Sequence, residues 1–309
     1  MKKMIALIVS AVLFLSGCSY SLKILNESGN PAKVTEMAKD KALLDQQDPK
    51  TGCTALMGLI ALDKTDAALI LIKSGANLDS QDKNWQSAVT YAVGKKNEAV
   101  LDAILAKKPH LEYKDKQGMT ALWYAINDDN IGFVKKLLAA GANANAADKS
   151  GDLPISFAAA KNNAELVKLL LKYGADVKTP SAKDKQTPLM HAAMYSTPAI
   201  LELLIKAGAK VNAADRTNRT PVFWAIAGNK ADNLNFLIDK GADVKGVTAE
   251  KITTLMSAVN SRNIQMVKAL IAKGVPLNAK EAKGFSALKI ANQLKLTDIA
   301  AVLTAAGAK

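Results

Sequence analysis

Apolar residues recur along most of the chain with the spacing of short amphipathic helices. Segments such as Val134-Leu137-Leu138 and Val267-Leu270-Ile271 place aliphatic side chains three and one positions apart, on one face of a helix. Ala and Leu dominate these segments, and aromatic residues make up only 5% of the chain. The pattern therefore predicts an all-α protein, because a β protein would be richer in aromatic and β-branched residues.

The helical segments repeat along the chain. Equivalent segments start 33 residues apart, with one step of 34, at Thr54, Ser87, Thr120, Leu153, Thr187, Thr220, Thr253 and Ser286. A glycine follows each start except the second by 21 residues, at Gly75, Gly141, Gly174, Gly208, Gly241, Gly274 and Gly307. Such a period is typical of stacked helical units, each of which needs its neighbours to bury its apolar face.

Each copy carries the signals of two helices and a turn. In every copy but the fourth, a Thr or Ser at the start can cap the first helix, and in every copy but the first, an Ala five residues later lets neighbouring first helices pack closely. The glycine ends the second helix in a left-handed cap, and polar stretches such as Asp148-Lys149-Ser150-Gly151 predict the turn of a projecting finger. In the second copy Lys108-Pro109 replaces the glycine. We expect a shortened or distorted helix end there, because Pro109 disfavours helical angles at Lys108.

The copies resemble the ankyrin repeat, which has a period of 33 residues and the signature T-P-L-H-x-A. Thr187-Pro188-Leu189-Met190-His191-Ala192 is the nearest match, and the segments 120–125 and 220–225 are looser ones. The resemblance covers roughly residues 48–309. It implies an α-solenoid of about eight helix-turn-helix repeats with short hairpin fingers. Residues 31–47 look like a degenerate repeat and predict a helical N-terminal cap.

The N-terminus carries the pattern of an export signal. Lys2 and Lys3 precede an apolar run, Met4 to Leu15, which is shorter than the ~20 residues that a membrane-spanning helix needs. The next residues, Leu15-Ser16-Gly17-Cys18, resemble the lipobox of bacterial lipoproteins. That resemblance implies cleavage before Cys18, diacylglycerol on its sulfur and an acyl chain on its amine. Residues 1–17 are thus predicted to be a lipoprotein signal peptide, and 18–30 an acylated tether.

The residue after the cysteine bears on where the lipid anchor lies. In lipoproteins, Asp at this position tends to retain the protein in the inner membrane, and this chain has Ser19. The resemblance therefore implies the bacterial outer membrane, with the protein on its periplasmic side.

The chain is basic, with a formal net charge of +13, and nearly all of its cations are lysines. A basic surface favours anionic partners, but Lys lacks the planar fork that reads base edges, so we expect an acidic protein and no nucleic acid. One set of cations lies four residues before the segment starts, and we name it the basic ladder: Lys50, Lys83, Lys116, Lys149, Lys183 and Arg216. The basic ladder either binds the partner or is kept for local reasons within each repeat.

Three further residues complete the predicted partner-binding set. Trp85 replaces a finger glycine and is expected to be exposed, since a turn has little core to enter, and exposed aromatics often anchor interfaces. Tyr195 and Arg219 lie where the resemblance implies a concave binding face. Trp123 and Trp224, in first helices, are expected to pack inside.

Little in the chain suggests catalysis. There are two cysteines and two histidines; Cys53 is interpreted as an unpaired structural thiol, His191 as a packing residue and His110 as a surface turn residue. Phosphate loops, paired-carboxylate motifs, nucleophile elbows and metal motifs are absent from the sequence. The sequence therefore predicts no enzyme, no cofactor and no metal.

Together these features predict a monomeric, lipid-anchored scaffold or adaptor of the bacterial envelope that binds a protein through its concave face and basic fingers. The alternative hypothesis is a lipid-anchored inhibitor, an immunity protein that neutralises a toxic envelope-acting enzyme. A cofactor carrier or enzyme is the third hypothesis, and it has no residues to support it.

Overall fold

The computed structural model describes residues 23–309; the predicted signal peptide and Cys18 lie outside them. The chain divides into two compact units, of which unit 1 ends at Lys149 and unit 2 covers Ser150–Lys309. Over the described range the regular structure is helical, and strand pairing is limited to two isolated bridges, Gln47–Thr54 and Val247–Thr253. None of the helices between residues 23 and 309 combines the length and apolar character needed to cross a bilayer.

The described part of unit 1, from residue 23 onward, contains three short helices followed by three helix pairs. The short helices are α1 (Lys23–Asn26), α2 (Pro31–Met37) and α3 (Lys41–Leu44). The pairs are α4 (Ala55–Ala61) with α5 (Thr65–Lys73), α6 (Ala88–Gly94) with α7 (Glu98–Leu105), and α8 (Ala121–Asn127) with α9 (Ile131–Ala139). First helices contact first helices and second helices contact second helices, so each pair is one layer of a stack.

Unit 2 contains five helix pairs with the same arrangement. They are α10 (Pro154–Ala160) with α11 (Ala164–Lys172), α12 (Pro188–Tyr195) with α13 (Pro198–Lys206), α14 (Pro221–Ala227) with α15 (Ala231–Asp239), α16 (Thr254–Asn260) with α17 (Ile264–Ala272), and α18 (Ala287–Gln293) with α19 (Thr297–Ala305). Every segment start found in the sequence thus opens one helix pair, and the all-α repeat solenoid is confirmed.

The core of each unit is built from positions that the sequence repeats. The alanines five residues after the segment starts are all fully buried: Ala92, Ala125, Ala158, Ala192, Ala225, Ala258 and Ala291. Their small side chains let the first helices approach closely, and the aliphatic stripes of the second helices close the layer behind them. Leu137, Leu170 and Leu270 are fully buried in these stripes. Large side chains at the alanine positions would therefore force the layers apart.

The N-terminal helices cover the open end of unit 1. Helix α2 packs against α5, and Val34 and Leu44 are buried. Asn30 and Asp40 cap α2 and α3 by accepting backbone N–H groups. Helix α1 lies within the segment expected to be a tether, and Ile24 on it is buried, so this part of the segment packs onto the protein.

The side-chain caps expected at the first helices form in four repeats. Thr54, Thr187, Thr253 and Ser286 each accept the N–H three residues on. The expectation is wrong at Ser87, Thr120 and Thr220, whose side chains make no such bond. At Thr120 the N–H of Trp123 donates to the main-chain carbonyl, at 3.0 Å, and the buried hydroxyl has no described hydrogen-bond partner.

The distortion predicted at Lys108 is largely wrong. Lys108 has a φ of 54°, and its N–H donates to Leu105 O at 3.0 Å, which is the left-handed cap that glycine forms in the other repeats. Helix α7 is still one residue shorter than α5, with 8 residues against 9. Pro109 has no N–H for Ile104 O, and Lys107 N–H donates to that oxygen instead, at 3.0 Å. The proline tightens the last turn and leaves the cap in place.

Burial predicts how unevenly stability is distributed over the repeats. Leu170 is fully buried in α11, so Leu170→Ala should lower the free energy of unfolding by ~2–5 kcal/mol through lost contacts and a cavity. Ser286 only caps α18 in the last repeat, so Ser286→Ala should cost ~1 kcal/mol or less. Urea unfolding monitored by circular dichroism measures both, and the reverse order would contradict the assignment of the core.

Candidate partner-binding surface

We define a finger as the turn that precedes each first helix and number the fingers by the repeat that they open. Buried carboxylates organise four of them: Asp48, Asp82, Asp115 and Asp215. In finger 3, Asp115 Oδ1 accepts the N–H groups of Gln117 and Met119 at 2.8 and 2.9 Å. Finger 6 repeats this with Thr217 and Arg219 on Asp215. The acidic side chain thus satisfies backbone groups that the turn leaves without partners.

An aromatic residue nine positions after the aspartate completes this arrangement. The hydroxyls of Tyr91 and Tyr124 donate to Asp82 Oδ2 and Asp115 Oδ2, and Trp224 Nε1 donates to Asp215 Oδ2 at 3.2 Å. Burial and the neighbouring carboxylates raise the pKa of both tyrosines far above the usual range, so the phenols remain donors. The sequence interpretation missed this link, although the nine-residue spacing from Asp to Tyr or Trp recurs in three repeats.

Backbone hydrogen bonds join neighbouring fingers. In unit 1, Lys83 N–H donates to Thr51 O at 2.8 Å, and Lys149 N–H donates to Gln117 O at 3.0 Å. In unit 2 the donors at the equivalent position are Lys183, Arg216, Ala249 and Ala282, each bonded to the preceding finger at 3.0–3.3 Å. The finger surface of each unit is therefore an ordered edge and not a set of independent loops.

All residues of the basic ladder are exposed: Lys50, Lys83, Lys116 and Lys149 on unit 1, and Lys183 and Arg216 on unit 2. Some of their side chains also contact the preceding finger. Lys83 Nζ donates to Pro49 O at 2.7 Å, and Arg216 Nε donates to Lys183 O at 2.8 Å. These contacts give the repeat a local reason to keep a cation at this position, while the exposed charge still faces solvent.

Trp85 and Trp123 lie where the sequence predicts, and Trp224 is less buried than expected. Trp85 is 56% exposed at the tip of finger 2, whereas Trp123 is buried and donates from Nε1 to Ala146 O at 2.6 Å. Trp224 is half-buried against Asp215. Trp85 is thus available as an anchor on unit 1.

Tyr195 and Arg219, both on unit 2, are half-buried. Arg219 is already engaged, because its Nε donates to Asp215 Oδ2 at 3.0 Å and its Cζ lies 4.5 Å from the centre of the Trp224 ring. Tyr195 ends α12, which is one residue longer than the other first helices because Ser196 does not adopt the left-handed turn found there. Buried Asn233 donates to Ala193 O and Ser196 O at this turn.

A cleft of about 550 Å³ opens beside Arg219. Ser257 lines it, at the position where the preceding repeat has Trp224, so a small side chain leaves room that an aromatic ring fills elsewhere. Arg219, Thr248 and Glu250 are among the residues that supply its polar groups. The cleft is open and forms part of the finger surface of unit 2.

The histidines lie apart from this surface chemistry. His110 is exposed beside the ring of Tyr113, with ring centres 4.4 Å apart. His191 Nε2 is buried and has no hydrogen-bond partner in the part of the chain that the structure describes. Across residues 23–309, His, Cys, Asp and Glu side chains nowhere form a group of three or more that could hold a metal ion.

Cys53 differs from its interpretation as an unpaired thiol. It is buried, its Sγ lies 3.2 Å from Tyr91 Oη, and it is not a free thiol. The sequence interpretation of Cys53 is therefore wrong.

Paired helices in stacked layers, with an ordered edge of fingers, define a repeat protein of the binding-scaffold class. A family model described as ankyrin repeats in three copies matches residues 59–148, 89–181 and 155–248, together more than half of the chain. The chain therefore belongs to the ankyrin-repeat family, which indicates a protein–protein interaction scaffold. No curated protein shows significant similarity to it.

Burial of His191 predicts a pH-dependent stability. Burial lowers the pKa of His191 to about 4 from its usual 6.5, so between these values the unfolded chain binds a proton that the folded chain does not. Its contribution is complete above pH ~6.5 and is lost as pH falls toward 4, by about 2 kcal/mol between pH 7 and pH 5. Urea melts at both pH values measure this loss, which His191→Gln should remove.

The carboxyl group of Asp152, beside His191, provides the control for this prediction. Asp152 Oδ1 lies 3.8 Å from His191 Nε2, and burial raises the pKa of Asp152, so its protonation acts in the opposite direction. Asp152→Asn should therefore steepen the loss of stability on acidification. An unchanged pH dependence in His191→Gln would show that His191 does not carry the effect.

Proposed function

We propose that this protein is a membrane-anchored scaffold of the bacterial envelope that binds an acidic protein through its fingers. The observation that carries the proposal is the separation of charge within the fingers. Asp82 and Asp115 are buried and turned toward the backbone, whereas the adjacent Lys83 and Lys116 are exposed. A sequence of alternating acid and base thus presents a positive surface to a partner.

The same separation recurs on unit 2, where Asp215 is buried and Arg216 is exposed. Burial acts to raise the pKa of Asp215, but hydrogen bonds from Arg219 and Thr217 outweigh it and hold the pKa below its usual range. Asp215 is therefore charged at neutral pH, and its carboxylate is bonded to groups of its own finger. A surface of this kind steers a partner of opposite charge and raises its association rate.

Reversing several ladder charges tests the proposed surface once a partner has been isolated from detergent-solubilised envelopes. Each exposed ion pair contributes only ~0–1 kcal/mol, so single changes should have small effects. The triple variant Lys83→Glu, Lys116→Glu and Lys149→Glu should slow association about tenfold, with a smaller effect on dissociation. Stopped-flow or surface plasmon resonance measures both rates, and added salt should weaken wild-type association in the same way.

The matched control reverses three lysines at the ends of second helices: Lys172, Lys206 and Lys240. These have local roles, since Lys172 and Lys240 lie over the rings of Tyr173 and Phe236, and Lys206 pairs with Glu202 at 2.9 Å. An equal slowing by both triple variants would show that only net charge matters. An unchanged association rate in both triple variants would show that the basic ladder has only a local role within the repeats.

The membrane anchor is the second part of the proposal. It is supported by the Lys pair, the apolar run and the lipobox-like Leu15-Ser16-Gly17-Cys18, and Ser19 favours the periplasmic side of the outer membrane. Several acyl chains on Cys18 would give stable anchoring, because one chain alone binds a membrane only marginally. Capture of a toxic enzyme as the partner would favour the inhibitor hypothesis over an adaptor.

Acylation of Cys18 can be tested directly on the mature protein. Mass spectrometry of the mature protein should find an acylated Cys18 at the N-terminus, and Cys18→Ala should release the protein from membranes. An intact Met1, or an unmodified Cys18, would contradict the anchor.

A further inference from the structure

The hydrogen bond that joins neighbouring fingers is missing at one place in unit 1. Thr51 O and Gln117 O accept it from Lys83 and Lys149, but no such bond joins Asn84 O and the N–H of Lys116, all of which the structure describes. Only a long contact of 3.4 Å, from Lys116 Nζ to Asn84 Oδ1, connects the two fingers here. The edge therefore carries an unused donor and acceptor between fingers 2 and 3.

The interruption coincides with Trp85. The equivalent positions of fingers 1 and 3 are Gly52 and Gly118, where an added Cβ would lie 2.9 and 2.5 Å from the next finger's backbone nitrogen. Trp85 holds the same left-handed conformation, with φ at 66°, which is costly for a bulky side chain. Lys185, Asn218 and Lys251 share this conformation in unit 2, and their fingers keep the bond. The loss of the finger bond is thus associated with the bulky indole of Trp85, since other side chains at this position leave the bond in place.

Trp85 gains little packing in return for this strain, because more than half of it is exposed. The exposed Lys83 lies two residues before it in the chain, and the exposed Lys116 of the next finger contacts the adjacent Asn84 through Nζ. The free Lys116 N–H and Asn84 carbonyl are the pair of groups that an extended peptide would bond. A flat aromatic ring beside them suits an apolar side chain.

We propose that the interval between fingers 2 and 3 binds an extended acidic segment of the protein partner. The segment's backbone takes the place of the missing finger bond on Asn84 O and Lys116 N–H. One of its apolar side chains covers the indole of Trp85, and its carboxylates pair with Lys83 and Lys116. The inference rests on the proposed function, since it assumes an acidic protein partner, and it locates the site at which that partner is held.

The test compares Trp85→Gly with the wild-type full chain. Glycine relieves the left-handed strain and lets the fingers close as they do between Gln117 and Lys149. Amide exchange at Lys116 should therefore slow, and the melting temperature should rise by about 2–4 °C. Affinity for a fluorescein-labelled, amidated Asp-Glu-Phe-Asp-Glu peptide should nevertheless fall about tenfold or more, as for a central aromatic anchor.

Two further variants separate the indole from charge and from general strain. Trp85→Lys copies the natural occupant of fingers 5 and 7 and adds a cation, so it should still bind the peptide more weakly than wild type. Asn218→Gly relieves the same backbone conformation where the finger bond is intact, and it should leave peptide affinity unchanged. A peptide with Asn-Gln in place of Asp-Glu should bind weakly to every variant.

The outcomes distinguish this site from the proposed function. Unchanged Lys116 exchange and peptide affinity in Trp85→Gly would overturn the inference, as would a wild-type chain that does not bind the acidic peptide. If the triple ladder variant loses the peptide while Trp85→Gly keeps it, the Trp85 site fails and the basic surface stands. Loss of the peptide in both variants, with slower amide exchange at Lys116 and a higher melting temperature only in Trp85→Gly, supports the site as proposed.

Discussion

Each helix pair in this protein has an apolar face that it cannot bury alone, and the layers on either side must cover it. In most repeats of both units the first helices approach so closely that a small residue lies between them. Ala158 and Ala225 are fully buried at such positions, and a Cβ added at Gly228 would lie 2.2 Å from Met194 O. Stability is therefore a sum over neighbouring contacts, and the outermost elements need different solutions.

The two chain ends meet this constraint differently. At the N-terminal end α2 packs on α5 and supplies Val34 as a buried side chain, so short helices replace the missing layer. In the eighth repeat Lys289 and Asn292 are both exposed, and Asn292 takes a position that is apolar in the other seven repeats. These polar side chains let the outer face of this repeat border solvent.

The fingers show how a binding surface can be built from residues that also hold the fold together. The aspartates accept hydrogen bonds from backbone N–H groups of their own turns. The aromatic residues of the first helices donate hydrogen bonds that hold those carboxylates in place. The cations beside them then dominate what the finger presents to solvent. Trp85 departs from this scheme, since it costs the unit a finger bond and contributes little burial. Strain that is retained at an exposed position is consistent with selection for binding over stability.

Much of the fold followed from the sequence because its determinants are local and repeated. The segment starts, the buried alanines and the left-handed glycines each recur at one spacing, so eight copies support one interpretation. Exposure of Trp85 was predictable for the same reason, since a finger tip offers no core. The helix end at Lys108 was misjudged because a residue-level preference was weighed alone, whereas the closing bond to Leu105 O is available to any residue that accepts the left-handed conformation.

The sequence by itself determined the repeat, its helices and the places where the chain must turn, since these depend on side-chain size, helix propensity and backbone conformation within a few residues. Only the tertiary structure decided which charges of each finger face inward, because Asp and Lys are adjacent in the chain and burial alone separates them. It also decided that the edge is open between fingers 2 and 3. That depends on the distance between two backbones 32 residues apart, as between Asn84 and Lys116, which no local pattern specifies.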